Sequence, residues 1–383
     1  MQRKVNHVSG RNQAEKLVTV GIDMGSDLWS TGITRWDTGR YSYHKYEGTT
    51  KDMGLYRKIE ELVNEGNKVQ VYYEAGRNGF TPAREIKKRG AEPGVIAVSR
   101  LEIFQNGKTV KTDRIDAKFL AGLHPLDNLP LVWIPSEEQE QRRMAVRETE
   151  RISEDISRNN NRMISLLERW LPGVEKKHHC SVEWKKRIKE CASIGAMKNV
   201  PLEAERLRNM ARELEVLESN LERWEKIQAV KEKEHKEDIR DKGKVSDIEI
   251  LSQYRGISGS ARKLSWELGE MERFKNGRKL SSYLGLTPTP WASGKMMREQ
   301  GISKKGRGEL RALAIELAWG WVKWQPECDV VKKWKDRLSV KGRSRRVAIV
   351  ALARQLMVAL FRRVVFGEEI KGAIISRPLK CGC

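Results

Sequence analysis

The chain is poor in the features that mark secreted or membrane proteins. Its five cysteines, Cys180, Cys191, Cys328, Cys381 and Cys383, are odd in number and lack disulfide-framework spacing, which points to a reducing cytoplasm. His178-His179-Cys180 followed by Cys191 fits no standard zinc-finger spacing, so these read as surface residues. No apolar run approaches membrane-spanning length, and no signal-peptide pattern opens the sequence. Acid is scarce relative to base: 52 Asp+Glu against 74 Lys+Arg leave a formal net charge of +22. A surplus of that size calls for a polyanionic partner. Nucleic acid comes before anionic membrane, because cations gain affinity there by releasing phosphate counterions. The tryptophans, among them Trp319, Trp321 and Trp324, read as core or interface residues rather than base-stacking platforms.

Residues 1–16 are polar and basic and read as an arm. From 17 to 135, short β-branched or aromatic runs alternate with helical stretches. Strands are expected at 17–22, 29–36, 40–46, 69–74 and 94–98, with Asp37-Thr38-Gly39 as a hairpin turn. Helices are expected at 51–65 and 81–89, and another begins near Asp113. Three antiparallel strands followed by alternating helices and strands make an α/β domain with a mixed sheet. Residues 136–244 change character. Thr149, Ile152, Ile156, Asn159, Met163, Leu166 and Trp170 form one 3-4 seam, and Leu207, Met210, Leu214, Leu217, Leu221 and Trp224 another. These are coiled-coil patterns on two long helices, with Asn159 fixing register, and at least one seam is expected to lie between chains. Residues 245–366 read as a third, largely helical domain ending in an amphipathic helix at 344–365, with 367–383 as a tail. The fold class is α/β + α.

Four carboxylates stand out: Asp23, Glu74, Asp113 and Asp116. Asp23 and Glu74 each end a strand run. Asp113 and Asp116 lie three apart in Lys111-Thr112-Asp113-Arg114-Ile115-Asp116-Ala117 and share a helix face. Ile115, Phe119 and Leu123 supply an adjacent apolar stripe for docking on a sheet. Acids at two strand ends and on one packed helix can converge on a point. Such a cluster repels itself unless cations fill it, and hard divalent ions, magnesium first, suit oxygen ligands. Two-metal sites activate an attacking oxygen and stabilise a leaving one in phosphodiester displacement. Each acid alone reads as an ordinary strand-end or helix-surface residue; only the set points to a metal site. Gly21-Ile22-Asp23-Met24-Gly25-Ser26 also resembles the first phosphate loop of actin-like ATPases and sugar kinases. The second loop and the adenosine pocket that this class needs are not found in the sequence.

The third domain carries a loop from Leu286 through Gly301, in which two prolines, Pro288 and Pro290, precede Ser293-Gly294. On loop chemistry alone, a serine before glycine is a turn residue. Gly301-Ile302-Ser303-Lys304-Lys305-Gly306-Arg307-Gly308 precedes a helix whose amides and cations can receive a phosphate, with Arg311 one turn further. Gly256-Ile257-Ser258-Gly259 resembles a helix-hairpin-helix turn, and Arg343, Arg345 and Arg346 add cationic reach. Each reads equally as a solvated basic face; jointly they favour DNA or RNA.

Together these elements resemble the insertion-sequence transposases with an Asp-Glu-Asp-Asp site, relatives of pilin-gene DNA invertases whose studied members are RNA-guided, bridge-RNA recombinases. The resemblance covers roughly 17–365. It rests on Gly21-Ile22-Asp23, Tyr73-Glu74-Ala75-Gly76 and Lys111 through Ala117, then on Arg273-Phe274, Tyr283-Leu284-Gly285-Leu286-Thr287-Pro288, Ser293-Gly294, and Ile302 through Gly306 followed by Leu310-Arg311. It implies a RuvC-like (RNase H superfamily) domain at 17–135 with Asp23, Glu74, Asp113 and Asp116 as magnesium ligands. It implies a coiled-coil domain at 136–244 and a transposase domain at 245–366 in which Ser293 attacks a DNA phosphate to form a phosphoserine. Lys111, Arg114, Gly256, Gly294, Lys304, Lys305, Arg307, Arg311, Arg343, Arg345 and Arg346 are the expected nucleic-acid contacts. Donor and target DNA, a structured guide RNA and a homo-oligomer built as a dimer of dimers are the implied partners, in a prokaryotic cytoplasm beside the nucleoid. Arg255 stands where the family has proline before the Gly-Ile turn, Ala292 where a second serine is common, and Ser99-Arg100 where Asn-Pro follows the third core strand. None of these departures removes a catalytic group. The competing readings are a metal-dependent, junction-resolving nuclease that uses water, and a nucleic-acid-binding scaffold with a dead site.

Overall fold

A computed structural model describes residues 16–47, 54–97, 112–170 and 199–376, with scattered positions from 184 to 197. Residues 294–295 and the side chains of 290–300 lie outside the description. The chain forms two compact units, Met1–Ser136 and Glu137–Cys383.

The first unit is built on a six-stranded mixed sheet, ordered β3-β2-β1-β4-β5-β6. Its strands are β1 (Leu17–Met24), β2 (Leu28–Arg35), β3 (Tyr41–Glu47), β4 (Lys68–Glu74), β5 (Glu92–Ile96) and β6 (Leu131–Val132). β1, β2 and β3 pair antiparallel, β4 and β5 run parallel to β1, and β6 closes the edge antiparallel. The expected hairpin turn is present: Asp37 accepts the Thr38 amide at 2.8 Å, and Gly39 takes φ +67°, a conformation that favours glycine. Period-2 alternation divides the sheet. Val18, Val20, Ile22, Val69, Val71 and Tyr73 face a core closed by α1 (Gly54–Asn64) and α2 (Thr81–Lys88).

The opposite face receives α3 (Asp113–Ala121), and of the expected stripe Leu123 is buried with Tyr72 and Ile96 and Phe119 packs against them, while Ile115 does not take part. Ile115 is 47% exposed, while Ala117, Leu120 and Ala121 are buried. The reason lies in the partner strands. Gly21 and Gly32 are paired across β1 and β2, and the helix backbone rests directly on both, which demands small helix residues at the contact.

In the second unit, α4 (Glu137–Trp170) packs against α5 (Pro201–Asp241). Ile152, Ile156, Met163 and Leu166 share one core with Leu207, Met210 and Leu214. Asn159 Nδ2 donates to Met210 O at 3.0 Å, and Gln228 Nε2 donates to Ala145 O at 2.8 Å, so the helices run antiparallel. The two seams therefore pack on each other within the chain, with Leu217, Leu221 and Trp224 half-buried and Trp170 exposed.

The remainder is α6 (Asp247–Ser252), α7 (Ala261–Leu268), α8 (Gly277–Tyr283), α9 (Gly308–Trp324), α10 (Asp329–Lys332), α11 (Lys335–Ser339) and α12 (Arg343–Phe366). They surround a core containing Trp266, Trp321, Leu352, Leu356 and Phe361. The stretch read as a loop from 286 to 301 is instead a β-hairpin. β7 (Pro288–Ser293) pairs antiparallel with β8 (Met296–Ile302), with a register shift between Pro288 and Pro290.

Candidate functional site

The first unit brings the acids to one end and one face of its sheet. β1 and β4 are paired up to Ile22 and Tyr73, so Asp23 and Glu74 continue that register by one step. They lie on the face opposite Ile22 and Tyr73, which is the face α3 covers. The direction of α3 then decides where its own acids fall. Just past its C-terminal end, His124 meets the Trp36 ring edge-on at 4.8 Å, and Trp36 Nε1 donates to Thr19 Oγ1 at 2.8 Å, near the start of β1. At its N-terminal end, Arg114 lies 5.2 Å from the Tyr43 ring centre. The Tyr43 hydroxyl is 2.9 Å from Ser30 Oγ, and Ser30 is the register partner of Asp23. The helix therefore runs antiparallel to β1 and starts at the end where Asp23 and Glu74 stand. Thr112 caps it by accepting the Ile115 amide, and Asp113 and Asp116 occupy its first turn, where the helix dipole favours anions.

The carboxyl groups share this rim without closing on one another. Among the described residues, no three His, Cys, Asp or Glu side chains are gathered so as to hold a metal ion. The donor set itself is all oxygen and suits a hard divalent cation.

Arg77 belongs to the same rim and was missed from sequence. It follows Glu74 by three residues, and its guanidinium donates to Ser26 Oγ at 3.1 Å, tying the loop after β4 to the loop after β1. Its place in Glu74-Ala75-Gly76-Arg77, directly after a strand-end acid, was the available signal.

In the second unit Ser293 is the last residue of β7, in register with Met296 beside the turn. The base of this hairpin is pinned. Ser303 N donates to Thr287 O at 2.8 Å, Lys304 N donates to Gly285 O at 3.2 Å, and Lys304 itself takes φ +53°. A Cβ on Gly306 would lie 2.2 Å from Tyr283 O, so only glycine permits this approach. Arg311 donates to the Lys304 and Gly306 carbonyls at 3.4 and 3.5 Å.

Several expected nucleic-acid contacts prove to be engaged inside the unit. Arg307 donates to Glu267 at 2.6 Å and to Glu309 at 3.0 Å, and Arg147 holds Glu267 from another side at 3.0 Å. Gly256, at φ +98°, packs under Trp324, whose ring carries Arg255 at 4.5 Å. Lys304, Lys305, Arg343, Arg345 and Arg346 are exposed, with Arg345 4.9 Å from the Trp319 ring centre. Lys111 and Gly294 lie outside the described residues, as do His178, His179, Cys180, Ser99 and Arg100.

Residues 248–331, from α6 through the hairpin to α10, match the family described as Transposase IS116/IS110/IS902 family. A Sinorhizobium fredii protein named as transposase y4rJ is 29% identical over 80% of this chain and 80% of its own length. A second from the same organism, named as transposase y4qE, is 24% identical over 88% of this chain and 86% of its own. A Pseudomonas aeruginosa protein named as a family 20 transposase is 30% identical over 43% of this chain and 46% of its own. The chain is thus similar to transposases over most of its length, and its 248–331 segment to the IS116/IS110/IS902 family in particular. Within that family segment lie Ser293, the glycine-locked hairpin base and the Glu267 ion-pair node. The acid rim lies in the other unit, outside the segment matched by the family.

Proposed function

We propose that the chain is a DNA transposase that cuts and rejoins the strands of an insertion element under the guidance of a structured RNA. The observation that carries the reading is the placement of Asp23, Glu74, Asp113 and Asp116 at one end and one face of a mixed sheet, in a chain whose other unit matches a transposase family. Three antiparallel strands followed by parallel β4 and β5 support a RuvC-like domain. The four acids would hold magnesium, which supplies charge neutralisation at the phosphate and lowers the cost of deprotonating an attacking hydroxyl. Arg77 and Arg114 border the rim as further phosphate partners.

In the second unit, Ser293 Oγ attacks a DNA phosphorus. The Oγ–P bond forms, the P–O3′ bond breaks, and the serine proton ends on the departing 3′-oxygen. The phosphoserine ester conserves the bond energy, and the 3′-hydroxyl of a partner strand reverses the step. A net charge of +22 supports DNA and RNA as partners.

The test uses full-length protein purified with its bound RNA, magnesium and supercoiled donor DNA. Ser293→Ala is expected to abolish covalent protein–DNA adducts, and Asp116→Asn to abolish strand cleavage. Adducts surviving in Ser293→Ala would remove the serine from the mechanism. Cleavage without adducts in Ser293→Ala, lost in Asp113→Ala, would establish the water-using nuclease instead. Absence of co-purified RNA would end the guided reading.

A further inference from the structure

A cleft of about 1420 Å³ opens in the second unit between α8, α10, α12 and residues 368–371. Its size exceeds the roughly 300–1,000 Å³ of small-molecule sites, which fits a polymer better than a metabolite. Its charge is lopsided. Arg278, Lys333, Arg354, Arg362 and Lys371 line it against Asp329, Glu368 and Glu369. Arg362 lies 3.7 Å from Glu368. Among the described residues the other four cations make no salt bridge, and the lining's five cations to three carboxylates favour an anionic occupant. The apolar part of the lining includes Val358 and Ala359, and α8 packs closely there: a Cβ on Gly277 would lie 2.7 Å from Val358 Cγ1.

One wall of the cleft is Thr287 and Pro288, the foot of β7. Five residues further along that strand is Ser293, about 17 Å away at an antiparallel rise. A polymer seated in the cleft touches the foot of the strand that ends at the serine.

We infer that this cleft seats the sugar–phosphate backbone of the DNA strand delivered to the hairpin, with Arg278, Lys333 and Arg354 as its phosphate contacts. The identity of the polymer as DNA rests on the transposase reading. None of the cleft's cations belongs to the first turn of α12 or to the loop at 301–308, and none was singled out by sequence.

The test measures binding of full-length protein to a labelled DNA duplex as salt is raised. Three lost phosphate contacts should make the slope of log K against log salt shallower by about 3. Between about 50 and 200 mM salt, wild type would then lose about 40-fold more affinity than Arg278→Ala/Lys333→Ala/Arg354→Ala. An equal charge loss on exposed α5 positions, Lys226→Ala/Lys231→Ala/Lys233→Ala, should leave the slope near wild type. Should the cleft triple fail to fold, Lys333→Glu on the exposed rim is expected to reduce the slope by about 1 alone.

Unchanged slopes in the cleft variants, an equal fall in the α5 control, or no DNA binding by wild type would each overturn the inference. Binding is read without strand chemistry, so the two proposals fail separately. Normal adducts with unaltered slopes sink the cleft, while altered slopes without any Ser293 adduct sink the serine.

Discussion

The closest backbone approach beneath the acid rim is at Gly21, and giving that residue a methyl group tests the whole arrangement. In Gly21→Ala the new Cβ would stand 2.2 Å from Ala121 N and 2.6 Å from Ala117 O and Leu120 C. All three are backbone atoms with no rotamer to escape into. Ordinary contact begins near 3.4 Å, so α3 must retreat by about 1.2 Å or β1 must buckle. Overpacking of this kind costs about 1–3 kcal/mol. Backbone against backbone places this site at the upper end, at about 2–3 kcal/mol, or roughly 4–10 °C in Tm. Gly32→Ala should cost less, because its Cβ would meet Ala117 O at 2.8 Å and the Ala121 side chain at 3.0 Å. The functional effect should exceed the structural one. Asp113 and Asp116 ride on α3, and a misplacement of about 1 Å at a reacting centre costs about 100-fold in rate. Urea unfolding followed by circular dichroism gives the first quantity, and the rate of adduct formation gives the second. A Gly21→Ala protein equal to wild type in both would refute the docking of α3 on β1. A protein destabilised but fully active would refute the role of the α3 acids while leaving the packing intact.

Two further predictions concern the second unit. Burial, reinforced by Glu272 and Glu270, pushes the Asp247 carboxyl up to about 7 from an ordinary 3.8. Between about pH 4 and 7 the unfolded chain has therefore ionised where the folded one has not, so stability falls as pH rises and levels off above 7. Asp247→Asn should flatten that slope and stabilise the protein at pH 8 by on the order of 3 kcal/mol, read from urea midpoints; an unchanged slope would refute it. Arg307→Ala removes one of two guanidinium groups from Glu267, whose side chain is 4% exposed. It should cost about 1–3 kcal/mol of stability, whereas an Arg307 serving only as a phosphate contact would leave stability untouched.

What was legible in the sequence followed from periodicity. Asp23 and Glu74 were found because β-branched runs end at them, and parallel pairing then set them side by side. The docking face of α3 was legible in part: of the stripe Ile115, Phe119 and Leu123, the last two pack on the sheet, but the closest contact is made by Ala117 and Ala121. The deciding residues are glycines on another element, 96 and 85 positions away from Ala117 in the chain. The hairpin was not legible. Pro288 and Pro290 argue against a strand, yet a two-stranded ribbon has free edges on which proline loses no ladder bond, and a register shift absorbs the misfit. The heptads announced two long helices but carried no information on where each finds its partner. A link of 30 residues between α4 and α5 favours their pairing within the chain by raising their effective concentration.

The pinned hairpin base bears on the proposed role of Ser293. An isolated hairpin is marginal in water, and a nucleophile must be held to within about 0.5 Å. Here Thr287 and Ser303 bond across the foot through both backbone and side chain, Gly285 and Gly306 lock the foot against Tyr283, and Arg311 grips two of its carbonyls. The ribbon is thus an arm clamped at one end, with Ser293 at the other. An arm of this kind positions its tip only when something engages the tip. In the proposed reaction the DNA strand itself would engage the tip, so attack by Ser293 would follow only once that strand is seated.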